Sequence, residues 1–245
     1  MATSDSLVII PTYNEKGNVE RMLETVMALP LQPHVLIVDD GSPDGTAAIV
    51  RDVASRYPGR IHLLERSGKQ GLGTAYIAGF RWGLERDYAY LFEMDCDFSH
   101  NPEDLVRLRA ACAEGGADVA VGSRYTRGGK VENWPWDRLL MSTFASIYVN
   151  AVLWLGVRDA TAGFKCYRAQ VLKTIDLSRI RFVGYAFQIE MKHSARQLGF
   201  RIAEVPIRFI DRQVGESKMN MGIFREAFLG VLSMRFRPVK PAPTA

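Results

Sequence analysis

The chain predicts an α/β fold built on a mostly parallel, doubly wound sheet. Three observations carry this. Its 245 residues, 47% hydrophobic and 24% charged, suit one large domain with a sizeable core. Short continuous apolar runs recur through the first half, as strands buried on both faces require. Stretches of helical periodicity separate the runs, and that alternation implies parallel pairing through crossovers.

In chain order, strands are expected at 7–10, 35–38, 61–64, 90–94 and 119–121, with helices near 16–28, 46–57, 72–86 and 102–113. Asn101-Pro102-Glu103-Asp104 is a helix start, with a capping side chain, then proline, then acids in the first turn. Beyond residue 125 the pattern changes. Residues 139–157, LLMSTFASIYVNAVLWLGV, carry no charge over a length approaching a membrane span. Ser142, Ser146 and Asn150 recur every four residues, however, and form a polar stripe on one helical face. The expectation is an amphipathic helix packed on the domain or lying at a lipid surface, with a transmembrane helix as the alternative. Ile223, Phe224, Ala227, Phe228, Val231 and Leu232 keep helical spacing among Arg225, Arg235, Arg237 and Lys240. This last helix would rest on anionic lipid or pack on the sheet. The Pro/Ala-rich tail PVKPAPTA is expected to be a disordered end. The chain is thus divided into a main α/β domain, 1–221, and a C-terminal helix and tail, 222–245.

Composition narrows the function. Three scattered cysteines fit a reducing compartment and exclude a disulfide scaffold. The first residues, MATSDSLVIIPTYNE, show no basic region and only a short apolar run, so no secretory leader is expected. The net charge of +4 is unevenly spread: residues 1–100 hold 9 Lys+Arg against 14 Asp+Glu, and the remainder hold 22 against 13. An acidic first half suits a metal, and a basic second half suits phosphates or an anionic membrane. No helix-turn-helix or zinc-finger pattern supports nucleic-acid binding.

Ligands of such sheets sit at the carboxyl ends of the strands. The first strand leads into Pro11-Thr12-Tyr13-Asn14-Glu15 and the second into Asp39-Asp40-Gly41-Ser42-Pro43-Asp44-Gly45-Thr46. Tyr13 could cover a base, while Glu15 and Asp40 could accept hydrogen bonds from base or ribose. The fourth strand leads into Asp95-Cys96-Asp97. Alternation along a strand would point both carboxylates to one side, where they repel unless a cation neutralises them. Mg²⁺ or Mn²⁺, shared with diphosphate oxygens, is the natural partner. Cys96 reads as a small buried residue. Gly71-Leu72-Gly73 is not a dinucleotide fingerprint, because position 76 is Tyr and the stretch does not follow the first strand. It reads as a flexible helix entry and argues against an NAD enzyme. The four histidines form no H-E-x-x-H pair, and no serine-nucleophile elbow or phosphate loop occurs. Arg124, Arg138, Arg212 and Lys218 are the candidate phosphate clamps.

Taken in order, PTYNE, DDGSPDGT, GLGTAY, MDCDFSH, GSRY, DATAGFKCYR, GYAFQIEM and EVPIRFIDRQVGESKM resemble the dolichol- and polyprenol-phosphate mannosyltransferases of inverting glycosyltransferase family 2. The resemblance runs from about Leu7 to about Lys218. It implies a GT-A nucleotide-diphosphosugar transferase fold, a mostly parallel central sheet flanked by helices, with amphipathic acceptor-side and C-terminal helices. It also implies metal-dependent, inverting transfer of mannose from GDP-mannose to dolichyl or polyprenyl phosphate. By the same resemblance, Pro11, Tyr13, Glu15, Val38 and Asp40 would contact guanosine. Asp95, Cys96 and Asp97 would form the metal and diphosphate motif, with Asp97 the main ligand. Arg124, Arg212 and Lys218 would bind donor phosphates, Arg124 facing both substrates, and Arg138 and Ser142 would meet the acceptor phosphate. Cys96 stands where the family usually has alanine and is small enough to preserve metal binding. Some relatives carry transmembrane helices after the catalytic domain. This chain shows none, so it resembles a stand-alone form at the cytoplasmic face of a membrane, working with a small membrane-anchoring partner. Two rivals are the same transfer from another donor such as UDP-glucose, and an inactive nucleotide-binding subunit of a membrane complex.

Overall fold

The computed structural model describes residues 4–211 and 221–243, with 221–227 given as backbone. The first half alternates as expected: β1 (Ser6–Thr12), α1 (Val19–Met27), β2 (His34–Asp39), α2 (Thr46–Arg56), β3 (Ile61–Glu65), α3 (Leu72–Leu84), β4 (Tyr90–Glu93), α4 (Asp104–Ala113) and β5 (Val119–Ser123). β1 pairs in parallel with β2 on one side and β4 on the other, and β2 pairs in parallel with β3. Chain order therefore reverses between β1 and β4, and a ligand crevice opens outside the strand ends at such a switch point.

Both faces of the sheet are covered. Val8, Ile10, Val35, Ile37 and Phe92 pack under α1, α2 and α4. Their neighbours Leu7, Ile9, Leu36, Val38 and Leu91 pack on α3 and on the helices that follow later in the chain. Strand side chains alternate faces, so a run apolar at every position is what burial on both sides demands. In α1, Val19, Met22, Leu23, Val26 and Met27 recur at helical spacing and are buried. Each such aliphatic side chain contributes about 1.5–3 kcal/mol.

The second half departs from simple alternation. It comprises β6 (Lys130–Glu132), α5 (Trp136–Leu153), β7 (Lys165–Arg168), α6 (Ala169–Thr174), α7 (Tyr185–Gln197), β8 (Ile202–Pro206), β9 (Arg208–Ile210) and α8 (Met221–Phe236). β7 inserts antiparallel between β4 and β5, and β8 closes the edge in parallel with β5. β6 and β9 form a separate parallel ribbon.

Two expectations are corrected. α5 ends at Leu153 rather than near residue 157, because Asn150 stops it: its amide donates to the carbonyls of Ser146 and Val157 and accepts from the Gly156 N–H. The polar stripe faces inward, an orientation the sequence left open. Ser146 is 2% exposed, whereas Phe144 and Ile147 are 65% and 58% exposed beside Leu140 and Met141. No helix among the described residues is long and apolar enough to cross a membrane. Finally, the described part of the C-terminal tail is docked on the domain: Pro241 bridges to Ile175, the Ala242 N–H donates to the Thr174 carbonyl at 2.8 Å, and Arg237 pairs with buried Glu190. α8 packs Val231 and Met234 against Val149 and Leu153 of α5 and Ile189 of α7.

Candidate functional site

At the carboxyl edge of β1 and β2 the backbone is cross-braced by short polar side chains. Buried Asp39 accepts from Thr12 Oγ1 at 2.8 Å, from the Ser42 N–H at 2.8 Å and from Ser42 Oγ at 2.6 Å. Ser42 Oγ in turn accepts from the Asn14 N–H, and Thr46 Oγ1 accepts from the Glu15 N–H, both at 3.0 Å. The end of β1 with Pro11, the loop carrying Tyr13 and Glu15, and the loop that follows Val38 are thus fixed to each other. Asp40 does something the sequence did not reveal: it accepts from Arg66 Nε at 2.6 Å, while Arg66 Nη1 donates to Thr74 Oγ1 at 2.8 Å. The Lys69 ammonium lies 5.4 Å from the Tyr13 ring centroid.

The acidic pair lies beside this edge. β4 stops at Glu93, so Asp95 and Asp97 sit in a loop and strand alternation does not orient them. The Asp95 carboxylate accepts from Tyr76 O–H at 3.4 Å, and Asp97 Oδ1 accepts from the Ser99 N–H at 3.0 Å. Phe98 then takes a left-handed conformation, φ 58°, turning the chain. Burial, reinforced by Glu15 and the two aspartates, pushes the Cys96 thiol well above its ordinary range, so it stays protonated and fills space. Among the described residues no three His, Cys, Asp or Glu side chains form a closed metal set. The donor chemistry of Asp95 and Asp97 still fits a hard divalent cation, which takes one or two carboxylates and completes its shell with substrate phosphate and water.

Under the pair lies a fully buried polar cluster. Lys165 Nζ is 3.1 Å from Glu93 Oε1, which also accepts from Tyr167 O–H at 2.9 Å, while Gln188 donates to Glu93 Oε2 at 2.7 Å and accepts from Lys165. Tight approach completes the packing here. A Cβ on Gly73 would lie 2.8 Å from the Phe187 ring, so α3 can seat on α7 only with glycine at that position.

The basic side is organised on aromatic rings. The Arg124 guanidinium lies 5.3 Å from the Trp134 ring and 5.5 Å from the Phe209 ring; Arg138 lies 4.2 Å from Trp134. Trp134 and Phe209 meet edge to face at 5.3 Å. His100 continues the wall, stacked on Phe164 at 4.8 Å and edge-on to Phe209 at 5.3 Å. Burial first, with Arg124 adding to it and Asp97 opposing, pushes the His100 imidazole down to about 4. It is therefore neutral at physiological pH. Arg138 also donates to Asp211 at 2.9 Å, and Ser142 is half-buried one turn further along α5.

The structure thus brings Pro11, Tyr13, Glu15, Val38, Asp40, Asp95, Cys96 and Asp97 to one edge, with Arg124, Arg138 and Ser142 on the second half. Arg212 and Lys218 lie outside the described residues. Arg66, His100, Trp134, Asp159 and Phe209 were missed by sequence reasoning. His100, Asp159 and Phe209 stand inside conspicuous motifs, MDCDFSH, DATAGFKCYR and EVPIRFIDRQVGESKM, whereas nothing in the sequence marks Trp134 or Arg66.

Comparison with known proteins identifies the fold and the family. The glycosyl transferase family 2 model matches residues 7–176. The chain is 48% identical to the polyprenol monophosphomannose synthase of Mycolicibacterium smegmatis over 235 residues, 96% of this chain and 88% of that protein. It is also 48% identical to the undecaprenyl-phosphate mannosyltransferase of Micrococcus luteus, over 92% of this chain and 91% of that one. Among solved structures, glucosyl-3-phosphoglycerate synthase from Mycobacterium tuberculosis, in complex with Mn²⁺, UDP and glucosyl-3-phosphoglycerate, superposes with a TM-score of 0.69 at 15% identity, over 95% of this chain and 80% of that one. The mannosyltransferase PcManGT from Pyrobaculum calidifontis, in complex with GDP-Man and Mn²⁺, superposes with a TM-score of 0.60 at 17% identity, over 95% and 63%. These two share the fold. Sheet order, the loops at the carboxyl edge and near-full-length identity converge: the chain is a GT-A enzyme belonging to glycosyltransferase family 2, among its polyprenyl-phosphate mannosyltransferases.

Proposed function

We propose that the protein transfers mannose from GDP-mannose to a polyprenyl or dolichyl phosphate with inversion, forming a polyprenyl β-mannosyl phosphate. The observation that carries the reading is the pairing of a nucleotide-type edge, with Asp95 and Asp97, against two arginines held on one aromatic wall. Pro11, Tyr13, Glu15, Val38 and Asp40 would bind the guanosine. Asp95 and Asp97 would hold Mg²⁺ or Mn²⁺ with the diphosphate, and the cation when bound would offset the charge of the departing GDP. Arg124, with Arg212 and Lys218, would bind donor phosphates; Arg124, Arg138 and Ser142 would bind the acceptor phosphate.

A polyprenyl monophosphate is mostly dianionic at pH 7, its second pKa being about 6. It is already a nucleophile and needs no general base. One of its oxygens bonds to the anomeric carbon as the bond to the β-phosphate oxygen of GDP breaks, the electron pair leaving with GDP. The task left to the protein is to bring two anions together, which Arg124 and Arg138 accomplish by charge and fixed geometry. The lipid tail requires a surface. Leu140, Met141, Phe144 and Ile147 of α5 and Phe228, Leu229, Leu232 and Phe236 of α8 are all exposed. Tyr148 stacks on Phe228 at 4.4 Å and joins the two helices into one apolar face, a shape suited to the cytoplasmic leaflet. A small membrane-anchoring partner would add to that hold. The deciding experiment incubates the protein and a short polyprenyl phosphate with GDP-mannose, UDP-glucose and other nucleotide sugars, read by mass spectrometry. Mannosylated lipid from GDP-mannose alone is the expected result; transfer from UDP-glucose would replace the donor, and no product would remove the reading.

A further inference from the structure

Arg124 is held more tightly than its neighbour Arg138. Asp159 is fully buried and accepts three hydrogen bonds from this one residue: backbone N–H at 2.9 Å, Nε at 2.7 Å and Nη2 at 2.7 Å. Nη2 gives its second proton to Thr161 Oγ1 at 2.8 Å. None of these bonds uses Nη1. Asp159 is itself anchored through the backbone, because Glu204 on β8 accepts from the Asp159 and Arg158 N–H groups, both at 2.9 Å. Lys192, also buried, donates to the Ala162 carbonyl at 2.7 Å and secures the far end of the same loop.

We infer that Asp159 is a positioning residue for transfer: it fixes one side of the Arg124 fork so that the other side meets phosphate in a single orientation. The inference rests on the proposed role of Arg124. A guanidinium is planar and rigid, so two bonds along one edge determine where the opposite nitrogen points. Holding that nitrogen in place beforehand removes the entropy and the solvent rearrangement that a free arginine would bring to the reaction. The same bonds leave Asp159 unsuited to proton transfer. Burial opposes its ionisation, but the hydrogen bonds and charge of Arg124 outweigh this and keep the carboxyl below its ordinary value.

The test is a double-mutant cycle on the full chain, with GDP-mannose and a short polyprenyl phosphate. Asp159→Asn should lower kcat/KM for the acceptor by roughly 10²-fold, the loss that misplacing a reacting group by an ångström brings. Arg124→Lys keeps the cation but has no fork, so it should lose a similar factor. The double variant should be no worse than the weaker single variant, because the two substitutions remove one shared arrangement. Losses that multiply, or wild-type kcat/KM in Asp159→Asn, would overturn the inference. Thr161→Val, which introduces no buried unpaired charge, repeats the cycle if Asp159→Asn does not fold. It should show a smaller loss that disappears in the Arg124→Lys background; a loss that persists there counts against the inference. Full activity in Arg124→Lys and in Arg124→Ala would instead remove the phosphate-binding role of Arg124 itself.

Discussion

The two sides of the crevice present different surfaces. The edge of β1, β2 and β4 is knitted by short polar bonds, with Asp39, Ser42 and Thr46 tying backbone to backbone. The opposite side hangs two arginines on Trp134 and Phe209 and turns apolar side chains outward along α5 and α8. A water-soluble nucleotide calls for fixed donors and acceptors. A lipid phosphate calls for charge beside an apolar surface. On the proposed reading, each half of the site matches the phase from which its substrate comes.

Removing one carboxylate of the acidic pair should break that contrast most severely. Asp97→Ala is expected to abolish transfer, by 10³-fold or more in order of magnitude, in an assay following radiolabelled GDP-mannose into lipid. Full activity would end the metal role. Arg138→Ala should be milder and one-sided. kcat/KM for the lipid acceptor should fall about 10–100-fold, as loss of a charge-assisted contact implies, while GDP binding in a thermal-shift titration stays unchanged. An equal loss of GDP affinity would place Arg138 on the donor side. Next, Phe144→Ser with Ile147→Ser should weaken co-sedimentation with anionic vesicles by about 10-fold or more, since each buried side chain contributes about 1.5–3 kcal/mol. Unchanged co-sedimentation would remove α5 from the membrane face.

The smallest effect concerns His100 on the aromatic wall. Folded His100 stays neutral down to about 4, whereas the unfolded chain protonates it near its ordinary 6.5. Its contribution to stability is therefore complete above that higher pH and is lost as pH falls through the window between the two values. Between pH 7 and 5 the unfolding free energy should drop by about 2 kcal/mol from this group alone. His100→Phe should flatten the slope in urea titrations at the two pH values; identical slopes would show that His100 does not titrate as described.

The fold of the first half was almost fully legible in the sequence. Runs such as Leu7–Ile10 are apolar at every position because both faces are covered, and their ends carry the motifs. The second half was not. β7 reads as KCYR, and a buried lysine hides a strand from any hydrophobic pattern. α5 was recognised as amphipathic, but which face looks inward depends on Asn150 and Ser146 meeting the rest of the molecule. Asp40 was expected to face a ligand, and its partner Arg66 lies 26 residues on, with no periodicity connecting them.

The buried lysine also bears on how the chain finds its fold. Glu93 and Lys165 are directly opposite in the β4–β7 register. A slip by one residue would turn Lys165 toward the other face and strand a carboxylate in the core without its counter-ion. Breaking a buried pair costs about 3–5 kcal/mol, so the pair disfavours mispaired intermediates where, among the described strands, an antiparallel strand enters the parallel sheet.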